Sequence, residues 1–283
     1  MGVLTAHPPS AHEGAAHGAA SAAPLLEIRG LQKRFAGVVA LADAQLRIGR
    51  GEVHALMGQN GAGKSTLIKT LTGYVSRDSG DVRFLGEPFE VHSPQEAQRH
   101  GISTIYQEIN LVPLLSVAEN ICLGRAPRRR GLLDWGAMRT EAKALLGRFG
   151  IDIDVSRPLG QFSTAVQQMT AIARAIGFSS KLVIMDEPTS SLNNEEVERL
   201  FTVVRQLKAD GVSVIFVSHK LDEVYAISDR ITIMRDGHWV HSADARDLGK
   251  LDLVSHMLGR DMTGAHGKTT AFTHSAGGRP RCA

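Results

Sequence analysis

The sequence predicts an α/β fold for residues 25–262, because short apolar strands alternate with longer segments of helical periodicity. The strands are predicted at 52–58, 102–107, 181–188, 212–219 and 230–237. Their Val- and Ile-rich members are apolar at nearly every position, which is typical of parallel strands covered on both faces. A glycine-rich turn also joins the first of these strands to a helix.

The predicted helices begin at recognisable capping residues. Ser93 is followed by Pro94 and, three residues on, by Glu96, which is a capping box with proline at the first helical position. The same spacing to a glutamate recurs after Ser116 and Asn193. The helix after Asn193 carries one apolar stripe, formed by Val197, Leu200, Phe201, Val204 and Leu207.

Residues 110–177 interrupt the alternation. They contain three segments of helical periodicity, SVAENICLG, MRTEAKALLGRFG and AVQQMTAIARAIG, and no recognisable strand. We therefore predict a helical subdomain inserted into the α/β core.

The composition bears on which partners the chain is expected to bind and on which redox compartment it suits. The net charge of +3 over 283 residues is a weak argument for nucleic acid, and two cysteines make no disulfide framework. No apolar run approaches the roughly 20 residues that a membrane helix needs. Residues 1–24 and 263–283 read as disordered tails. Arg125 and the run 128–130 form one basic cluster, read first as a solvated loop and second as a site for lipid headgroups or a partner.

The glycine-rich turn GQNGAGKST matches the phosphate-binding pattern G-x-x-x-x-G-K-[ST] between a strand and a helix. Its glycines let backbone N–H groups approach phosphate oxygens, and the helix N-terminus adds partial positive charge. We expect Lys64 to reach the β- and γ-phosphates and Ser65 to ligate Mg²⁺. The predicted nucleotide-binding residues of this P-loop are Gly58, Gln59, Asn60, Gly61, Ala62, Gly63, Lys64, Ser65 and Thr66.

Polar residues end three of the predicted strands. Asp186 closes the strand LVIMD and is expected to hold the water shell of Mg²⁺. Glu187 follows and is predicted to polarise the attacking water, a role worth roughly 10²–10⁴-fold in rate. His219 is expected to contact the γ-phosphate, and Gln107 to lie near metal and water. Away from a P-loop, an Asp-Glu pair is usually a solvated turn and a strand-end histidine is usually structural.

Phe35 precedes the core in LQKRFAGVVAL and is predicted to stack on adenine, with a core aromatic as the alternative.

The order of these motifs resembles that of ATP-binding cassette (ABC) ATPases over residues 25–262. The motifs are Phe35, the P-loop, Gln107, the Ser163 segment, Asp186-Glu187, SSLN (190–193) and His219. The stretches GISTIYQEINLVPLLSVAENICLGR, ISDRITIMRDG and HMLGRDM are similar, more narrowly, to the ATPases of bacterial monosaccharide importers of the galactofuranose and ribose type.

The resemblance implies a P-loop NTPase core with a small antiparallel β part and an inserted helical subdomain at about 110–177. It implies an ATP hydrolase that uses ATP and Mg²⁺ to drive monosaccharide uptake. Two cassettes, identical or different, would sandwich two ATPs, each held between the P-loop of one and the signature segment of the other. The other implied partners are transmembrane permease subunits, received by the segment after Gln107, and indirectly a periplasmic sugar-binding protein, with no nucleic acid. The implied location is the cytoplasmic face of the inner membrane, as a peripheral subunit.

Two departures from the family pattern stand out. The usual signature Leu-Ser-Gly-Gly-Gln reads Phe162-Ser163-Thr164-Ala165-Val166 in this chain. Ser163 keeps the hydroxyl and can cap the helix, and alanine in place of glycine adds only a methyl group, so Ser163 and Ala165 are still predicted to contact nucleotide. The second departure is one cassette followed by a short tail, where these sugar ATPases commonly carry two fused cassettes.

Three alternatives stay open at this point. A non-transport ABC protein acting on DNA or ribosomes would be expected to carry a coiled-coil insertion or two cassettes with a charged linker. A small-molecule P-loop kinase would need neither a signature-like helix nor the strand-end histidine. The chain could also be a truncated piece of a two-cassette protein.

Overall fold

A computed structural model describes residues 23–106 and 111–259. Gln107 lies outside the described residues, as does nearly all of both predicted tails. The assignment of 25–262 as one domain, with flanking tails and an inserted subdomain, stays a prediction.

Strands and helices alternate along most of the described chain. The strands are β1 (Leu26–Phe35), β2 (Val38–Ile48), β3 (Val53–Met57), β4 (Ser79–Phe84), β5 (Glu87–Pro88), β6 (Ile102–Ile105), β7 (Arg128–Arg129), β8 (Leu132–Leu133), β9 (Leu182–Asp186), β10 (Ser213–Val217), β11 (Arg230–Arg235) and β12 (His238–Asp244). The helices are α1 (Lys64–Leu71), α2 (Pro94–Arg99), α3 (Val117–Cys122), α4 (Trp135–Gly147), α5 (Thr164–Gly177), α6 (Asn194–Ala209), α7 (Leu221–Ile227) and α8 (Lys250–Leu258). A short 3₁₀ turn covers Leu159–Gln161.

Five parallel strands form the centre of the fold, in the order β11-β3-β10-β9-β6. Every residue of β3 and β10 is buried, which is why these strands read as unbroken apolar runs. The five strand positions predicted from the sequence are confirmed.

An antiparallel part extends the same sheet to ten strands, in the order β5-β4-β1-β2-β12 before β11. Strands β1 and β2 pair antiparallel from Leu26↔Ile48 to Phe35↔Val38, and β1 also pairs antiparallel with β4. The antiparallel part that the resemblance implied is confirmed, and its first two strands are 10 and 11 residues long.

All three predicted N-caps are confirmed, but the capping box predicted at Ser93 is only half formed, because the Glu96 carboxylate accepts from the His92 N–H and not from the Ser93 N–H. The Ser93 side chain accepts a hydrogen bond from the Glu96 backbone N–H, and Ser116 and Asn193 each form a full capping box. In α6 the residues Leu200, Phe201, Val204 and Leu207 are buried, as the stripe predicts.

Helices α3, α4 and α5 occupy the segment where the strand–helix alternation stops. Their buried residues, including Ile121, Met138 and Ile172, share one apolar cluster with residues of β9, β10 and α6. The expectation that 110–177 contains no strand is wrong, because β7 and β8 form a small hairpin there. Two residues per strand are too few for any periodicity to show in the sequence. In the part of the chain that the structure describes, no helix has the length and apolarity needed to cross a bilayer.

Candidate functional site

The P-loop connects the end of β3 to the start of α1, and its backbone lies against neighbouring strands. Gly58 has φ 153°, and a Cβ there would lie 2.3 Å from the Met234 carbonyl oxygen. Gly63 has φ 100°, and a Cβ there would lie 2.8 Å from the Ala40 carbonyl oxygen. Both positions therefore need glycine for a positive φ and for close backbone approach. Gly63 is also the N-cap of α1 and carries no side-chain cap.

A cleft of about 480 Å³ opens at this turn. Its lining residues are Val38, Val39, Ala40, Asn60, Gly61, Ala62, Gly63, Lys64, Ser65, Thr66, Asp186 and Glu187. The fold thus brings seven predicted P-loop residues and both predicted carboxylates to one cleft. Gly58 and Gln59 do not line it, and the Gln59 side-chain amide donates to the Met257 carbonyl 3.4 Å away on α8.

Parallel pairing explains this convergence. Val217 of β10 pairs with Asp186 of β9 on one side and with Leu56 of β3 on the other. The carboxyl ends of the three strands therefore share one edge of the sheet, which is where open α/β sheets bind ligands.

The Lys64 ammonium donates hydrogen bonds to the backbone carbonyls of Gly58, at 2.7 Å, and Gln59, at 3.1 Å. Burial lowers the pKa of Lys64, and the charges of Glu187 and Asp186 oppose that shift. The Lys64 ammonium therefore contacts the backbone of its own loop, next to the N-terminus of α1.

Asp186 lies at the end of β9 with its carboxylate partly buried. Burial raises the pKa of Asp186, the neighbouring charge of Glu187 raises it further, and Lys64 and Lys69 pull it down. A bound cation would stabilise the charged forms of these two neighbouring carboxylates, because it would offset both the burial and the charge repulsion that raise the pKa of Asp186.

Glu187 has an unusual backbone, with φ 48° in the left-handed region. Such a conformation in a residue other than glycine costs on the order of 1–3 kcal/mol and is found most often at functional sites. The Glu187 N–H donates to the Val217 carbonyl at 3.0 Å, which ties the turn to β10. Glu187 Oε1 lies 3.1 Å from Nδ1 of His219, whose side chain is 64% exposed. The predicted base and the predicted γ-phosphate contact are thus hydrogen-bonded to each other.

Ser163 and Ala165 lie at the start of α5 and do not line the cleft. Ser163 is exposed, and its Oγ accepts from the Val166 N–H at 3.4 Å, so the predicted N-cap is confirmed. Ala165 is only 9% exposed. The Ala165 side chain is thus buried within its own chain, and the predicted contact of Ser163 and Ala165 with a nucleotide stays a prediction.

Phe35 lies at the end of β1, paired with Val38 across the β1–β2 turn. The ring is 42% exposed, and the Lys33 ammonium lies 5.4 Å from its centroid. It is not a core aromatic, but it does not line the cleft either, so adenine stacking stays a prediction.

Val38, Val39 and Ala40 line the cleft and were not predicted from the sequence. Val38 is 67% exposed and Val39 is 44% exposed, at the start of β2 and beside the P-loop. Adjacent exposed valines after a tight Ala36-Gly37 turn are a usable signal for an apolar ligand contact, since strand valines usually face a core.

Comparison with known proteins identifies the family. The family described as ABC transporter matches residues 41–190, more than half of the chain. The chain belongs to the ABC transporter family. The ribose import ATP-binding protein of Rubrobacter xylanophilus is 52% identical over 239 residues, which cover 84% of this chain and 48% of that protein. The galactofuranose transporter ATP-binding protein of Escherichia coli K12 is 48% identical over 238 residues, covering 84% of this chain and 48% of that protein.

The chain spans about half the length of these two relatives. A solved dimeric ATP-binding cassette, bound to ADP and phosphate in a post-hydrolysis state, matches with a TM-score of 0.67 and 25% identity, covering 78% of this chain and 99% of that one. The expected ABC ATPase fold is confirmed, and so is the narrower resemblance to monosaccharide-importer ATPases.

Proposed function

We propose that this chain is an ATP-hydrolysing cassette of an importer that takes up a monosaccharide. The observation that carries the proposal is the meeting of the P-loop, Asp186, Glu187 and His219 at the carboxyl edge of β3, β9 and β10. The names of relatives at 52% and 48% identity, a ribose import protein and a galactofuranose transporter protein, support the substrate class.

The P-loop is proposed to hold the nucleotide phosphates. The N-terminus of α1 lines the cleft, where its backbone N–H groups would donate to phosphate oxygens, and Lys64 would exchange its carbonyl contacts for β- and γ-phosphate oxygens. Val38 and Val39 provide an apolar wall of the cleft. Phe35, exposed beside them at the end of β1, is the proposed stacking surface for adenine.

A magnesium ion is proposed at the same cleft. The Ser65 hydroxyl and the Asp186 carboxylate both line it, and Gln107, outside the described residues, is the third proposed contact. Mg²⁺ commonly takes one or two protein carboxylates together with nucleotide phosphates, so this sparse set of oxygens is chemically suitable. The ion would neutralise phosphate charge, and it would also relieve the repulsion between Asp186 and Glu187.

Glu187 is proposed as the general base. Its left-handed backbone directs the carboxylate to the cleft, and its hydrogen bond to His219 fixes the orientation. His219, which is mostly exposed, is then free to meet the γ-phosphate.

A second cassette is proposed to complete the site. Ser163 and the exposed start of α5 do not reach the cleft of their own chain, so they would act on the nucleotide of a partner. The dimeric state of the solved cassette supports this arrangement. Permease subunits and a periplasmic sugar-binding protein are the proposed further partners, with the chain at the cytoplasmic face of the inner membrane.

The test is ATP hydrolysis by the purified chain, alone and reconstituted with the permease in proteoliposomes. We expect slow phosphate release alone, and stimulation when permease and sugar-loaded binding protein are present. Phosphorylation of free sugar in proportion to ATP consumed would contradict this proposal and establish a P-loop kinase.

A further inference from the structure

A small surface far from the P-loop in the chain combines exposed arginines with exposed apolar side chains. It consists of the β7–β8 hairpin and the first turn of α4, and we call residues 128–135 the arginine hairpin. Arg128 pairs across the hairpin with Leu133, and Arg129 with Leu132. The turn between them is Arg130-Gly131, with φ values of 52° and 85°.

Two positive φ values in a two-residue hairpin loop define a type I′ turn, which normally selects Asn-Gly or Asp-Gly. An arginine at its first position adopts a left-handed backbone that its side chain disfavours. The turn thus places a third guanidinium at the hairpin tip at an energetic cost, which points to a use for it.

The three arginines of the hairpin have no acidic partner among the described residues, and Arg128 donates one long hydrogen bond, of 3.5 Å, to the Gly131 carbonyl of its own turn. No ion pair formed by the described residues includes Arg128, Arg129 or Arg130. The neighbouring Arg125, by contrast, is paired with Glu141. Asp134 also borders the hairpin, but its carboxylate accepts the Ala137 N–H as the N-cap of α4.

Apolar side chains stand beside these charges. Leu132 is 76% exposed, Leu133 is 43% exposed and Trp135 is 50% exposed. Together with Arg129 and Arg130 they line a shallow pocket of about 340 Å³. Arg139 is exposed one turn along α4 and on the same face as Trp135, which extends the cationic surface.

We propose that the arginine hairpin binds the surface of a lipid bilayer that carries anionic headgroups. Arginines would contact lipid phosphates, while Leu132 and Trp135 insert at the headgroup level, where tryptophan is favoured. An acidic peptide or nucleic acid would use the arginines but would leave adjacent exposed leucines without a role. This contact is separate from the nucleotide site and does not rest on the proposed transport function.

The first experiment is co-sedimentation of the full chain with vesicles of phosphatidylcholine alone or mixed equally with phosphatidylglycerol. We expect binding to the mixed vesicles, weakened by salt. The variant R128Q/R129Q/R130Q should lose roughly fivefold in partitioning per arginine, on the order of 100-fold in all. The control R29Q/R83Q/R246Q loses the same net charge elsewhere and should retain binding. An equal loss in both triple variants, or equal binding to neutral vesicles, would overturn the proposal.

The second experiment tests insertion. The chain has two tryptophans, so W239F leaves Trp135 as the single fluorophore. We expect a blue shift of its emission on mixed vesicles and quenching by brominated lipid, with both effects reduced by L132S. Binding without any change in Trp135 emission, or equally tight binding to a short acidic peptide or RNA, would show a purely ionic surface and overturn the assignment.

Discussion

Lys64 shows how a single cation serves the P-loop. In this structure the Lys64 ammonium donates hydrogen bonds to two backbone carbonyl oxygens of its own loop, and burial lowers the pKa of Lys64. Lys64→Ala should weaken ATP binding by about 10- to 150-fold, since hydrogen bonds to charged groups contribute about 1.5–3 kcal/mol each. Calorimetric titration with ATP measures this. Lys143→Ala, which removes an exposed cation from α4, is the control, and unchanged affinity in Lys64→Ala would refute the assignment.

Glu187 allows binding and chemistry to be separated. Glu187→Gln keeps the size of the side chain and a hydrogen bond to His219 but removes the basic oxygen. We expect ATP affinity to be retained and turnover to fall by about 10²–10⁴-fold. Phosphate release under saturating ATP measures it, with exposed Glu195→Gln as the control. Normal turnover in Glu187→Gln would remove this residue as the base.

At the scale of residues, the chemistry of the motif residues could be predicted from the sequence, whereas the orientation of side chains in the fold could not. The P-loop pattern and the strand-end carboxylates point to Lys64, Asp186 and Glu187 because their spacing carries the chemistry. The burial of the Ala165 methyl and the cleft wall at Val38 depend on contacts between distant parts of the chain. Because those contacts join residues that are far apart in the chain, no local sequence pattern predicts them.

At the scale of elements, the start of α5 decides whether the altered signature still works. Ser163→Ala should cost about 1 kcal/mol of stability through the lost N-cap. It should also slow hydrolysis by about 10- to 150-fold if its hydroxyl meets a phosphate in the transition state. Ser93→Ala removes the cap of α2 without touching nucleotide, so it should lower stability alone. Chemical denaturation and phosphate release, measured on both variants, separate the two effects. Equal activity in both would make α5 a packing helix only.

The same helix offers a contrast between neighbouring positions. Ala165→Phe should destabilise the fold by about 1–3 kcal/mol, because Ala165 is 9% exposed and a much larger side chain at a buried position forces its neighbours to shift. Thr164→Phe, at an exposed position, should melt close to the unchanged protein. Thermal melts of the two variants test this, and a similar melting temperature for both would mean that the start of α5 is loosely packed.

The secondary-structure elements differ in how clearly the sequence predicts them. The parallel strands were predictable because burial on both faces makes them apolar throughout, as in β3 and β10. Strands β1 and β2 alternate between buried and exposed residues and contain register shifts, which blur the period of two. The resemblance implied an antiparallel part, but the residue pattern alone did not locate it.

At the scale of the whole molecule, the proposed nucleotide site is divided between two places. The cleft at the P-loop and the capped start of α5 belong to one chain but do not meet within it. In the proposed dimer a partner chain would join them, which would make activity a property of the pair. The sequence predicts both halves separately, and only the family resemblance relates them to each other.

That division gives a test in mixed dimers. In a dimer of one Ser163→Ala chain and one Lys64→Ala chain, the intact P-loop of the first faces the intact Ser163 of the second, and the other site loses both groups. Each variant alone has no intact site. Mixing the two impaired preparations should therefore raise hydrolysis above that of either alone, up to the activity of one intact site in each mixed dimer. Phosphate release against mixing ratio measures it, with a maximum at equal amounts. Flat, low activity at every ratio would mean that Ser163 and Lys64 serve the same chain's nucleotide, or that both sites must be intact for either to turn over.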